Sequence, residues 1–295
     1  MKFFAAAALA TFAATGVLAA PAPAAAAASP LVPGAKFDRV MTVILENTDY
    51  SDVIADPYFS SLTTNHNGKL LTNYMAIAHP SQPNYIGMLT GGKDVLTDSK
   101  TNIAKQNLVD LLEAKKIDWK AYQENYPGNC FASDSSDGLY RRKHNPFISM
   151  NDVRTNAARC AKIVDGTQFT ADVAAGTVPS YVFYTPNMNN DGHDTDLATA
   201  SAWAEGFFEP LLNNADFMKN TLIVITWDES ESYFGANKVA AYLLGPVVDT
   251  SAGKTDASSY SHYSLLRTIE DNWSLGSLNR GDATAAVFKG LARQA

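Results

Sequence analysis

Positive charge is in short supply in this chain: 23 lysines and arginines stand against 30 aspartates and glutamates, a formal net charge of -7. A protein that holds nucleic acid by neutralising phosphates would reverse that balance, so this class of partner is set aside. Cysteine is scarcer, with only Cys130 and Cys160. Two thiols so far apart exclude a disulfide-dense scaffold and a thiolate zinc cluster. Beyond the N-terminal segment, no apolar run approaches the roughly 18 to 20 residues that span a bilayer. No Gly-x-Ser-x-Gly elbow occurs, which argues against a serine carboxylesterase of that type. Fixed-period repeats and a second low-complexity linker are also missing.

Bulky apolar residues are present in quantity. Of 295 residues 46% are hydrophobic and 18% charged, and 14 Phe, 13 Tyr and 4 Trp can build a core that needs no cofactor for stability. Lys2, the apolar stretch Phe3 to Leu18 and the small residues Ala19 and Ala20 read as a signal peptide over 1–19, with Val17 at -3 and Ala19 at -1. A Pro/Ala-rich leader follows over 20–34. The mature protein is therefore expected to be secreted, extracellular or in a cell wall, with no stable membrane anchor. In an exported chain an even pair of cysteines is expected to be bridged. Closing about 30 residues, a Cys130–Cys160 bond stabilises the fold by roughly 3 to 4 kcal/mol in the chain-entropy picture. Asn272-Trp273-Ser274 is a glycosylation sequon at the end of an expected helix, which makes Asn272 a candidate glycan site.

Strand-like and helix-like segments alternate, which predicts an α/β fold with a mostly parallel sheet. The strands are Val40 to Leu45, Tyr181 to Thr185, Leu222 to Trp227 and Val239 to Leu244. The first three are near-continuous apolar runs of the kind buried on both faces. Helical spacing appears at Leu108, Leu111 and Leu112, at Trp203, Phe207, Phe208, Leu211 and Leu212, and at Leu265, Leu266, Ile269 and Trp273. Residues 122–167 carry both cysteines, show little periodicity and read as an irregular insertion.

Each of the three strongest strands ends in polar residues: Glu46-Asn47, Asn187 to Asp194, and Asp228-Glu229. In parallel strands these groups share the carboxyl edge, where ligands of open α/β sheets bind. Carboxylates gathered there repel one another unless a cation joins them. Their oxygens suit Mg, Ca or Mn, and nearby histidines leave Zn open. The segment His79-Pro80-Ser81-Gln82-Pro83-Asn84 opens a short helix with Ser81 as N-cap, Pro83 in the first turn and Gly91-Gly92 ending it. A helix N-terminus can hold a phosphate and lower the pKa of a hydroxyl placed there. Among the histidines, His193 is flanked by Asp191 and Asp194, whereas His262 is expected to begin a helix, where an imidazolium is disfavoured.

Taken in order, Glu46-Asn47, Ser81-Gln82-Pro83-Asn84, Lys143-His144-Asn145-Pro146, Asn190 to Asp194, Asp228-Glu229 and His262 to Arg267 resemble the phosphoesterase family of secreted acid phosphatases and non-specific phospholipases C. That family belongs to the alkaline-phosphatase-like superfamily. The resemblance covers roughly residues 38 to 275 and implies a three-layer α/β/α fold, with residues 35–295 forming a single phosphoesterase domain. It implies one divalent metal ion held by Glu46, Asn47, Ser81, Asp228 and Glu229, with Ser81 as nucleophile. His79, His144 and His193 would surround the phosphoryl group, and Asn84, Asp191 and His262 would contact substrate. Where related enzymes carry aspartate at the position of Glu229, the longer side chain changes the reach of that ligand. The expected activity is hydrolysis of a small phosphate monoester through a phosphoserine. A phospholipase C or other phosphodiesterase on the same centre is the alternative, and a wall or metal-binding module without turnover is the non-enzymatic one.

Overall fold

The computed structural model describes residues 30–294. The expected signal peptide and most of the leader lie outside these residues. Nine strands form one sheet: β1 (Arg39–Leu45), β2 (Lys69–Met75), β3 (Trp119–Gln123), β4 (Ile163–Asp165), β5 (Tyr181–Thr185), β6 (Thr221–Trp227), β7 (Lys238–Leu244), β8 (Thr255–Asp256) and β9 (Tyr260–Ser261). Their order is β4-β3-β5-β1-β6-β7-β2-β8, with β9 also on β2. The three apolar runs sit together at the centre. β1 pairs in parallel with β5 from Val40↔Tyr181 to Val43↔Tyr184, and with β6 from Arg39↔Thr221 to Leu45↔Trp227. Every residue of β1, β5 and β6 is buried, so helices cover both faces as these continuous runs require. β7 departs from the rest, running antiparallel to both β6 and β2.

The helices fall into two packed sets. Ser81–Thr90 packs with Leu108–Ala114, Pro146–Ser149 and His262–Asn272, while Pro57–Asn65 packs with Tyr50–Ala55 and Leu197–Leu212. The first set carries Ser81, and its helix is buried along its whole length. Residues 122–167 are more ordered than their composition suggests. They start within β3 and include β4 and the short helices Pro146–Ser149, Asn151–Arg154 and Ala157–Cys160. Cys130 and Cys160 are joined in a disulfide across this segment.

Packing surrounds the asparagine of the sequon. Asn272 is buried; its Nδ2 donates to the Phe37 carbonyl at 3.0 Å, and its Oδ1 accepts from the Lys36 and Phe37 amides. A glycan on that nitrogen does not fit this arrangement, because the amide is buried against the Phe37 carbonyl.

Candidate active site

Parallel register delivers the polar strand ends to one edge. The Asp228 amide donates to the Leu45 carbonyl at 3.0 Å, and the Asn47 amide donates to Asp228 Oδ1 at 3.2 Å. Asn47 holds a left-handed φ of 42°, a conformation asparagine tolerates better than most residues, and this turn points its amide at Asp228. From the loop after β5, the Asp191 carbonyl accepts from the Glu46 amide at 2.9 Å. Asp191 Oδ1 accepts from the His193 amide at 2.9 Å across Gly192, whose φ of 96° the tight turn requires.

Ser81 is the first residue of the helix Ser81–Thr90, and Pro80 takes the N-cap position expected for it. Released from capping, the buried Ser81 hydroxyl lies 3.0 Å from Glu46 Oε2 and 3.1 Å from Glu229 Oε1, sharing one proton between two carboxylates. The Gln82 amide is not left open for a phosphate, because it donates to Asp98 Oδ1 at 3.0 Å. Gly91, with a left-handed φ of 72°, ends the helix as expected.

The histidines ring this hydroxyl. His144 Nε2 lies 3.1 Å from Glu46 Oε1, without hydrogen-bond alignment, and its Nδ1 is 3.6 Å from Asp191 Oδ2. His79 Nδ1 bonds Glu229 Oε2, and its ring stacks on Tyr233 at 4.2 Å. His193 Nδ1 is 2.7 Å from Asp194 Oδ1, and its Nε2 accepts from Lys143 Nζ at 3.1 Å. The Lys143 ammonium also reaches Asp98 Oδ2 at 3.1 Å.

Two expected substrate contacts are turned away from this centre. Asn84 is buried, and both ends of its amide clamp the loop that carries His79: Oδ1 accepts from Ile77 and Ala78, while Nδ2 donates to the Ala78 and Pro80 carbonyls. His262 begins its helix as expected but is fully buried. Its Nε2 donates to the Asp228 carbonyl at 2.7 Å, and its Nδ1 accepts from Tyr74 Oη at 3.1 Å. Neither side chain has a free polar atom for substrate. Three residues at the site carried no role in the sequence reading. Lys143 had a signal in its neighbour His144, and Tyr85, whose hydroxyl donates to Glu46 Oε1 at 2.5 Å, lies in the Ser81 motif. Asp98 had none.

Electrostatics concentrate the negative charge on one carboxylate. Burial pushes Glu46 up, but the neighbouring His144, helped by Lys143 and the Tyr85 hydroxyl, outweighs it and holds Glu46 at about 2. Burial and the charge of Glu46 push Glu229 up to about 8 and raise Asp191 and Asp228 well above the carboxylate range. Burial also depresses His144 and His79, and takes His262 down to about 4. A cation would relieve this crowding. Glu46, His144 and Asp191 each offer a ligand atom within 4.8 Å of the others. Asp191 Oδ2, Asp228 Oδ2 and His144 Nε2 are buried without hydrogen-bond partners, an unsatisfied set of oxygens and one nitrogen that fits a divalent cation.

The chain is similar to several known proteins. The profile of the phosphoesterase family matches residues 57–276. A Kluyveromyces lactis protein named "Probable acid phosphatase" is 42% identical over 270 residues, covering 88% of this chain and 63% of that protein. The "Acid phosphatase" of Aspergillus fumigatus is 38% identical over 273 residues, covering 89% of this chain and 61% of that protein. The chain thus spans less than two thirds of the length of these relatives. Among solved structures, a protein in the alkaline phosphatase superfamily from Vibrio parahaemolyticus has the same fold, with a TM-score of 0.59 at 12% identity over 88% of this chain and 72% of that one.

Proposed function

The chain belongs to the phosphoesterase family, and from that premise we propose that it is a secreted acid phosphatase that hydrolyses phosphate monoesters with Ser81 as nucleophile. The observation that carries the reading is the Ser81 hydroxyl, buried at a helix start, hydrogen-bonded to Glu46 and Glu229 and 3.5 Å from Lys143 Nζ. One divalent metal ion held by Glu46, Asn47, Asp228 and Glu229 with Ser81 would neutralise the carboxylates and lower the pKa of that hydroxyl. Glu46 also belongs to the buried set with His144 and Asp191. The donor oxygens suit Mg, Ca or Mn, and the His144 nitrogen keeps Zn in play.

Ser81 Oγ attacks phosphorus in line as its proton passes to the carboxylates that already share it. The bond from phosphorus to the ester oxygen breaks, and the departing alcohol takes a proton from His193 or His144, whichever enters the step as the imidazolium. The Lys143 ammonium neutralises oxygens of the phosphoryl group throughout. Water then hydrolyses the phosphoserine and restores the Ser81 hydroxyl, so two inversions retain configuration. Enzymes accelerate such hydrolyses by up to about 10²¹, and fixed charges must supply most of that effect. Asn84 and His262 act as positioning residues, for the His79 loop and for Asp228.

Residues 35–295 act as one phosphoesterase domain in this reading, with 122–167 as its insertion, supported by the unbroken sheet that includes β3 and β4. Export is supported by the apolar run that starts the chain. Among the described residues no helix is long and apolar enough to cross a membrane.

A phosphodiesterase or phospholipase C is the second reading. It is favoured by Tyr233 and Phe234, 64% and 94% exposed, in the loop that follows Glu229. The deciding experiment measures p-nitrophenol release from p-nitrophenyl phosphate and its bis-ester between pH 4 and 9, with wild type and Ser81→Ala. Monoester turnover that peaks in acid and disappears in the variant is expected. Preference for the bis-ester establishes the second reading, and no turnover with metal supplied leaves a binding module.

A further inference from the structure

A cavity of about 350 Å³ opens beside the reactive centre. Lys143 and His193 line it, together with Lys100, Arg141 and Arg142. Three carboxylates also line it, and each faces a basic side chain. Asp98 lies 3.1 Å from Lys143, Asp194 2.7 Å from His193, and Asp134 4.0 Å from both Lys100 and Arg141.

Arg142 is left over. Only 2% exposed, it uses one nitrogen to reach the Thr101 carbonyl at 3.3 Å and Asn102 Oδ1 at 2.8 Å, and its Nε has no hydrogen-bond partner. Among the described residues no carboxylate lies within 4.0 Å of its guanidinium. Asp134 accepts from the Arg142 backbone amide at 3.0 Å and lends it some opposite charge, but no carboxylate pairs directly with the guanidinium; burying it so is costly, and a bound anion offsets that cost. The planar donor fork of arginine suits phosphate oxygens, and the more exposed cations Lys100 and Arg141 line the same cavity. Lys143 borders both this cavity and Ser81, so a molecule reacting at Ser81 extends directly into it.

We propose that this cavity is a second-anion subsite, and that the preferred substrates are small polyols bearing a phosphate besides the one removed. The inference rests on the phosphatase reading above and narrows it. The volume accommodates a phosphorylated sugar, not a macromolecule. The carboxylates of Asp98, Asp134 and Asp194 can accept hydrogen bonds from its hydroxyls.

The test compares fructose 1,6-bisphosphate with fructose 6-phosphate, which differ by one phosphate, on the metal-loaded enzyme. Initial phosphate release is followed in wild type, in the Lys100→Ala/Arg141→Ala double variant, and in Arg142→Gln. Wild type is expected to favour the bisphosphate by ~10-fold or more in kcat/KM, mostly through KM, beyond the twofold due to its second ester. In the double variant the ratio falls toward that twofold, and in Arg142→Gln it falls as well where the protein folds. Equal turnover of the two esters by wild type, or a preference that survives in the double variant, overturns the subsite. Calorimetric titration of both sugars into Ser81→Ala separates the two readings. Selective binding of the bisphosphate by that variant, with no turnover in wild type, keeps the subsite and removes the phosphatase activity.

Discussion

The Lys143 ammonium lies 3.5 Å from the Ser81 hydroxyl oxygen, although 62 residues separate them in the chain. Burial works against its charge, but the carboxylates of Glu46 and Asp98 outweigh burial and keep it protonated. A fixed cation beside the attacking oxygen gains most when the phosphoryl group carries its greatest charge there. Lys143→Gln is therefore expected to lower kcat for p-nitrophenyl phosphate by ~10²-fold or more, with Lys143→Arg recovering part of it. Steady-state kinetics on the two variants decide the matter, and an unchanged kcat in the glutamine variant would remove Lys143 from the chemistry.

Removing the metal should cost stability as well as activity. Without a cation the buried carboxyls of Asp191, Asp228 and Glu229 resist ionisation beside Glu46, so the stripped protein binds extra protons. Dialysis against a chelator is expected to lower the thermal midpoint, more at pH 8 than at pH 5, because protons stand in for the cation only in acid. Re-addition of Mg, Mn, Ca or Zn in separate samples, followed by scanning calorimetry, identifies the ion that restores it. A midpoint unmoved by chelation and repletion refutes a resident metal.

Far from the site, Glu270 offers a cleaner test of buried charge. Burial, then the charge of Asp282, pushes its carboxyl up to about 7, against the weaker pull of Arg267. Its folded pKa exceeds the unfolded 4.5, so between these values the native state holds a proton that the unfolded chain has lost. Stability falls as pH rises through that window, and the penalty is complete above about 7. Glu270→Gln is expected to raise stability by roughly 2 kcal/mol at pH 8 and by almost nothing at pH 4.5. Urea unfolding at the two pH values measures the difference.

Two covalent expectations separate clearly. With Cys130 and Cys160 bridged, Ellman's reagent under denaturing conditions should find no thiol before reduction and two after it. Replacing both by serine is expected to cost about 3 kcal/mol, measured by chemical unfolding. Intact mass of protein made in a glycosylating host should show no N-linked sugar at Asn272, because its amide is packed against Phe37.

Much of the fold was legible because the central strands are apolar runs buried on both sides, and such runs carry their own signature. β2 was not, since Thr72 and Asn73 interrupt it where its pairing with β7 shifts register between Leu71 and Tyr74. β3 is broken by Lys120, and β4 is only three residues long. At the site, groups just past apolar runs could be placed at one edge by topology alone. Lys143 and Asp98 reach Ser81 through loops whose path no periodicity encodes. The roles of Asn84 and His262 depended on side-chain direction: a residue type near a site does not reveal whether it faces the ligand or the backbone behind it.

The reversed direction of β7 has a consequence for how the family can diversify. Parallel neighbours are joined by long crossovers that leave and re-enter the sheet at opposite ends, so altering one disturbs helices. The connection from β6 to β7 instead leaves and returns at the same edge, with Ser230 and Asn237 tied together at its base and Asn237 tied to Ala78. Everything between those ties, Tyr233 and Phe234 included, can be lengthened, shortened or exchanged while both flanking strands keep their register. It is a natural grafting position, where new ester preferences can be tried without rebuilding the scaffold that supports them.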